Sequence, residues 1–109
     1  MRKWDVKAIL PVTGVEITYE CKRDRKTWHT GNIYVEHKAL LHSEADLYVY
    51  LLDKVSEALF AIPRTKLLSL LIENYHVHHT WPIVFGGEDN NRGTLLPKDV
   101  YFLFSRTIN

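Results

Sequence analysis

Three side chains near the start of the chain have the types and spacing for work on a phosphodiester: Asp5, Glu20 and Lys22. Two carboxylates set side by side repel each other, and a divalent cation removes that cost. Mg²⁺ takes a few carboxylate oxygens and leaves its other positions to water and phosphate oxygens, so an incomplete protein cage suits it. A cation held this way activates a water, and a nearby lysine can orient that water or offset the charge developing at phosphorus. Two acids and an amine on one surface therefore suit metal-assisted hydrolysis.

That chemistry requires elements that bring residues 5, 20 and 22 together. Residues 3–10 (KWDVKAIL) and 15–22 (VEITYECK) each alternate in polarity and flank Pro11-Val12-Thr13-Gly14, which is turn chemistry, so a β-hairpin is expected. Alternation puts Trp4, Val6, Ala8 and Leu10 on one face of the first strand, with Lys3, Asp5 and Lys7 on the other. In the second strand Ile17, Tyr19 and Cys21 oppose Glu16, Thr18, Glu20 and Lys22. Matching apolar face to apolar face leaves two registers. A two-residue loop pairs Val12 with Val15 and sets Asp5 opposite Lys22, diagonal to Glu20. A four-residue loop pairs Leu10 with Val15 and sets Asp5 directly opposite Glu20. In both, the three side chains share a face, with opposed Cβ atoms about 4.5–5.5 Å apart and diagonal ones about 7–8 Å.

Beyond the hairpin, RDRKTWHTG reads as a basic loop and residues 32–37 (NIYVEH) as a third strand. Ser43, with Glu44, Ala45 and Asp46, offers a cap for a short helical turn before the apolar run LYVYLL at 47–52. A second apolar run at 59–62 stops at Pro63. Residues 65–75 then place Leu67, Leu68, Leu71 and Ile72 at helical spacing, with Arg64, Lys66 and Glu73 toward water. Residues 76–93 read as loop. TLLP at 94–97 reads as strand, and 100–104 as either helix or strand. The 109 residues suffice for one domain, 1–109, of mixed α/β (α+β) class, a sheet covered on at least one face. One cysteine excludes an internal disulfide and fits a reducing compartment, hence a cytoplasmic setting. No apolar run reaches the ~18 residues of a membrane span, and MRKWDVK lacks a signal peptide's apolar stretch. With a net charge of +1, any nucleic-acid contact must be local, and CKRDRK at 21–26, four cations against one acid, is the place for it.

Asp5 with Glu20-Cys21-Lys22 resembles the D…E-x-K core of the PD-(D/E)XK nuclease superfamily. The downstream run YECKRDRKTWHTGNIYVE, then HSEADLYVY, LFAIP and GGEDNNRGTLLP, is similar to small viral and phage members. The resemblance covers nearly the whole chain. It implies a restriction-endonuclease-like mixed sheet with flanking helices, DNA as substrate, and Mg²⁺ or Mn²⁺ as cofactor. It further implies metal ligation by Asp5, Glu20 and the Cys21 carbonyl, with Lys22 assisting the attacking water. If the protein is viral, it would act in the host cytoplasm. Many members carry a long helix before the first catalytic strand, whereas this sequence begins almost at Trp4, so the expectation is either a minimal version or a second subunit or later helix covering that side of the sheet.

Other positions carry a functional and a plainer reading. Arg23, Arg25 and Lys26 suit phosphate contacts or a solvated charge run. Thr30, Gly31 and Asn32 suit DNA-backbone contacts or a loop-to-strand turn. Glu36 suits an additional acid near the metal or a surface strand position. Trp28 and His29 suit stacking on bases. His76, His78 and His79 suit a zinc site supporting a zinc-dependent activity or, lacking structural-zinc spacing, plain loop residues. Trp81 reads as core or subunit contact, and Cys21 as a packed small hydrophobe on the apolar face. A homodimer is expected from small size, with Tyr101, Phe102 and Phe104 as a contact. The rival to an endonuclease is a noncatalytic DNA-binding or assembly module that keeps the nuclease fold.

Overall fold

The computed structural model describes residues 5–9, 13–86 and 90–108. Lys3, Trp4 and Leu10 of the expected first strand, Pro11-Val12 of the turn, and Gly87 of the expected 76–93 loop lie outside these residues.

The chain is of mixed α+β class. β1 (Val6–Ile9) and β2 (Glu16–Asp24) form the expected hairpin, paired from Val6 opposite Tyr19 to Ile9 opposite Glu16. This is the register that a four-residue loop predicts. After β2 come a short helix α1 (Thr27–Thr30), β3 (Asn32–Glu36) and α2 (His37–His42). They form the crossover that lets β4 (Leu47–Leu52) return parallel to β2, with Glu20 opposite Tyr48 and Lys22 opposite Tyr50. β5 (Leu59–Pro63) pairs antiparallel with β4, and β8 (Arg106–Ile108) closes the far edge, giving the order β1-β2-β4-β5-β8. β3 joins β7 (Asn91–Pro97) and β6 (Ile83–Gly86) in a second, antiparallel sheet ordered β3-β7-β6. Helices α3 (Arg64–Glu73) and α4 (Lys98–Phe104) each begin directly after a proline that ends a strand, Pro63 and Pro97. Proline's fixed φ and missing N–H suit such a helix entry.

The core lies between the two sheets and the helices. Tyr48, Tyr50, Leu52 and Ile62 from the first sheet meet Ile33, Val35 and Leu96 from the second, with Leu40, Leu67, Leu70, Leu71 and Tyr101 from the helices. Among the described residues, no helix is long and apolar enough to cross a membrane.

Several expectations are corrected. Residues 37–42 are helical, while the stretch from Ser43 to Asp46 is not; Ser43 follows a helix instead of starting one. The supposed loop at 76–93 holds a turn of π-helix at Asn74–His78, strand β6 and the start of β7. Residues 98–104 are a helix. On α3, Leu70 is buried and Ile72 exposed, because the helix faces the core through Leu67, Leu70 and Leu71.

The core-facing side of the hairpin is also reversed. Residues paired across adjacent strands share a face, so Glu20 and Lys22 lie on the side of Tyr48, Tyr50 and Ile62, which is the core side. Cys21 shares the other face with Val49 and is exposed, so it is no packed hydrophobe; Val6 is 46% exposed. β4 decides this orientation. Its large Tyr48, Tyr50 and Leu52 side chains meet the second sheet, and parallel pairing carries β2 with them.

Candidate metal and nucleic-acid site

Among the described residues, β1 covers only Glu16 to Tyr19 of β2 and leaves the last five residues of that strand unpaired on this side, and Asp5 sits just ahead of β1. The Asp5 N–H donates to the Tyr19 carbonyl at 2.8 Å. Its carboxylate Oδ2 accepts the Cys21 N–H at 2.9 Å. The acid therefore takes the rung of the ladder that β1 no longer reaches. In a strand, the N–H and C=O of one residue leave on the same side, so the Cys21 carbonyl also faces Asp5.

Glu20 lies beside Asp5, and the two carboxyl groups are hydrogen-bonded. Lys22 Nζ stands 3.8 Å from Glu20 Oε2. All three expected residues therefore converge. The Glu20 carboxyl is raised to about 7, first by burial at the rim of the core, then by the hydrogen bond and charge of Asp5; Lys22 opposes the shift and loses. Only 16% of this side chain is exposed. A carboxyl pair that retains a proton near neutrality is a place where a cation can displace it.

One neighbour of this pair, Tyr48, went unnoticed in the sequence because it arrives through the parallel crossover. Tyr48 lies across from Glu20, and its hydroxyl is pushed up to about 12, chiefly by burial. Glu20, Glu36 and the Arg64 guanidinium all act on it electrostatically. Tyr48 therefore stays protonated beside Glu20 at any ordinary pH. Glu36 Oε1 accepts from Asn91 Nδ2 at 3.0 Å, which ties β3 to β7.

The donor set fits a hard cation and not zinc. Two carboxylates and a main-chain carbonyl offer oxygen alone, and Mg²⁺ or Mn²⁺ completes such a set with water and phosphate. Among the described residues, no group of three or more His, Cys, Asp or Glu side chains is placed to hold a metal ion. That statement covers Glu36 as a third acid and the histidines as a zinc site. His78 instead lies 3.9 Å from Glu73, and His76 packs edge-on to Tyr75.

The remaining expected contacts divide. Arg23 Nε donates to Asp53 Oδ1 at 2.8 Å, so this cation is already paired. Arg25 and Lys26 are exposed. Thr30 and Asn32 act on the backbone. The Thr30 hydroxyl bonds the Lys26 and Asn32 carbonyls and accepts the Asn32 N–H, while Asn32 Nδ2 reaches the Thr30 carbonyl. Gly31 turns between them at φ 76°, where a Cβ would be strained. Thr-Gly-Asn is thus a turn that fixes the entry to β3. Trp81 packs half-buried against the core, and its N–H and carbonyl are held by the side chain of Asn74. Tyr101 is fully buried, edge-on to Tyr50 and bonded to the Phe60 carbonyl, so it is no surface contact.

No family model, curated protein or solved structure matches this chain.

Proposed function

We propose that the chain is a Mg²⁺- or Mn²⁺-dependent DNA endonuclease of PD-(D/E)XK type, with Asp5, Glu20 and Lys22 as its reacting set. The observation that supports this reading is the hydrogen-bonded Asp5–Glu20 pair, with Lys22 at 3.8 Å and Glu20 shifted to about 7. Asp5, Glu20 and the Cys21 carbonyl would hold the ion, which supplies the positive charge needed for attack on an anionic phosphodiester. Lys22 orients the attacking water and offsets charge on the phosphate oxygens as the P–O bond to the leaving sugar breaks. Burial of Glu20 keeps water from competing for its oxygens.

Linear, circular and four-way DNA, incubated with Mg²⁺, Mn²⁺ or EDTA, test the reading. Cleavage should require metal and fall by at least about 100-fold in Asp5→Asn and Glu20→Gln, a size typical of deleting one transition-state stabiliser. Cleavage that persists in EDTA, or in both variants, overturns it. A second reading, a noncatalytic DNA-binding module on the same fold, is favoured by one observation: the described site stops at two carboxylates. DNA binding without cleavage under every metal condition would establish that module.

A further inference from the structure

Trp28 is the largest side chain in the basic segment after β2, and core packing does not explain it. It is 50% exposed, and unlike Trp81 it is not packed against the core. Its mounting is nevertheless firm. Asp24 Oδ1 accepts the Lys26 and Thr27 N–H groups at 2.9 and 3.0 Å, and Thr27 is fully buried. The Gly31 N–H closes the turn onto the Thr27 carbonyl at 2.8 Å. An exposed indole on a fixed turn loses little freedom when something stacks on it.

One cation lies against it, and two more are its near neighbours in sequence. Lys54 Nζ stands 4.4 Å from the centre of the indole ring, and the His29 ring lies 5.5 Å away. Arg25 and Lys26 are exposed on the same turn. Asp53, the acid among them, is occupied by Arg23. Lys54 also has φ 62°, a left-handed conformation that an L side chain adopts at a cost. The turn holds that conformation through the Val55 and Ser56 N–H groups, both bonded to the Leu52 carbonyl. Residues held in such conformations cluster at functional sites, and this one carries its ammonium to an exposed indole.

We propose that Trp28 is a stacking platform for an unpaired base, with Arg25, Lys26 and Lys54 taking the adjoining phosphates, so that the chain selects DNA containing single-stranded or branched segments over intact duplex. The proposal rests on the DNA reading above and names its substrate class. Aromatic stacking needs a base face, which a closed duplex hides and a free strand offers. Four residues of β2, at about 3.3 Å each, separate Glu20 from Asp24.

Fluorescence anisotropy in EDTA, with labelled oligothymidylate, a blunt duplex and a forked duplex, separates binding from cleavage. Trp28→Ala should weaken binding to the single strand and the fork by about tenfold or more, and change the blunt duplex by less than about twofold. Trp28→Phe should retain most of the affinity, and circular dichroism should show both variants folded. Equal binding of wild type and Trp28→Ala to all three DNAs, or an equal loss on all three, overturns the proposal. Trp28-dependent binding without cleavage in Mg²⁺ would leave the platform standing and end the endonuclease reading. Metal-dependent cleavage with no preference lost in Trp28→Ala would do the reverse. Failure of the wild type to bind any of the three ends the platform, while metal-dependent cleavage alone decides the endonuclease reading.

Discussion

At the scale of single residues, the Asp5–Glu20 pair is a stability liability when no cation is present. The Glu20 carboxyl has an ordinary value of 4.5 and is raised to about 7 by burial and by Asp5. Between those values the folded chain keeps a proton that the unfolded chain has released, so stability falls as pH rises through that window. Below about pH 4.5 both states are neutral at this site and nothing is lost. Above about 7 the folded chain bears the full cost, on the order of 3 kcal/mol at about 1.4 kcal/mol per pKa unit before solvent screening reduces it. Glu20→Gln should therefore be more stable than wild type by that amount at pH 8 in EDTA and equal to it at pH 4, measured by urea unfolding. Mg²⁺ should recover the difference in the wild type. The same increment at both pH values would show that Glu20 carries no such burden. The set of Asp5, Glu20 and Lys22 was legible in the sequence because strand alternation is a strict rule over a hairpin. The side of the sheet it occupies was not legible, because β4, distant in the chain, decides it.

At the scale of elements, the second sheet depends on a close fit between one tyrosine and one glycine. Tyr34 of β3 lies over Gly93 of β7, and its hydroxyl reaches the Gly86 and Asn91 carbonyls. A Cβ on Gly93 would overlap the Tyr34 ring, which cannot withdraw without giving up both hydrogen bonds. Gly93→Ala should cost about 1–3 kcal/mol, the usual range for overpacking, and urea unfolding would measure it. An unchanged midpoint would mean that Tyr34 moves freely. None of this sheet except β3 and TLLP could be read beforehand. β6 is a four-residue strand, IVFG, with exposed Ile83 and Phe85, and the breakers Pro82 and Gly86-Gly87 around it hid three strand-forming residues. Its strand character comes from pairing with β7, which no local window contains. The helix at 37–42 escaped for a similar reason: HKALLH is one and a half turns, too short for its period to show.

At the scale of the whole molecule, a net charge of +1 leaves little long-range attraction for a polyanion. If DNA is bound, a few local contacts must do it. Arg23 is paired, so Arg25, Lys26 and Lys54 are the cations left around Trp28. Each phosphate neutralised contributes about −0.9 to the slope of log K against log salt on duplex and about −0.7 on single strands. A slope near −2 to −3 is therefore expected from anisotropy titrations across a salt series. A slope several times steeper would place the binding face elsewhere. Overall class was legible from patterning. The division into two sheets was not, since it arises where β3 leaves β2 to pair with β7.

That departure runs through Asp24. One oxygen of its carboxylate fixes the start of α1, and the other accepts the Tyr34 N–H at 3.0 Å, joining the end of the acid-bearing strand to the second sheet. On the endonuclease reading, a scan for lost cleavage would flag this aspartate along with Asp5, although it lies at the opposite end of β2 and serves as a rivet between frameworks. Only a comparison of melting temperature with turnover would tell the bracket from the blade.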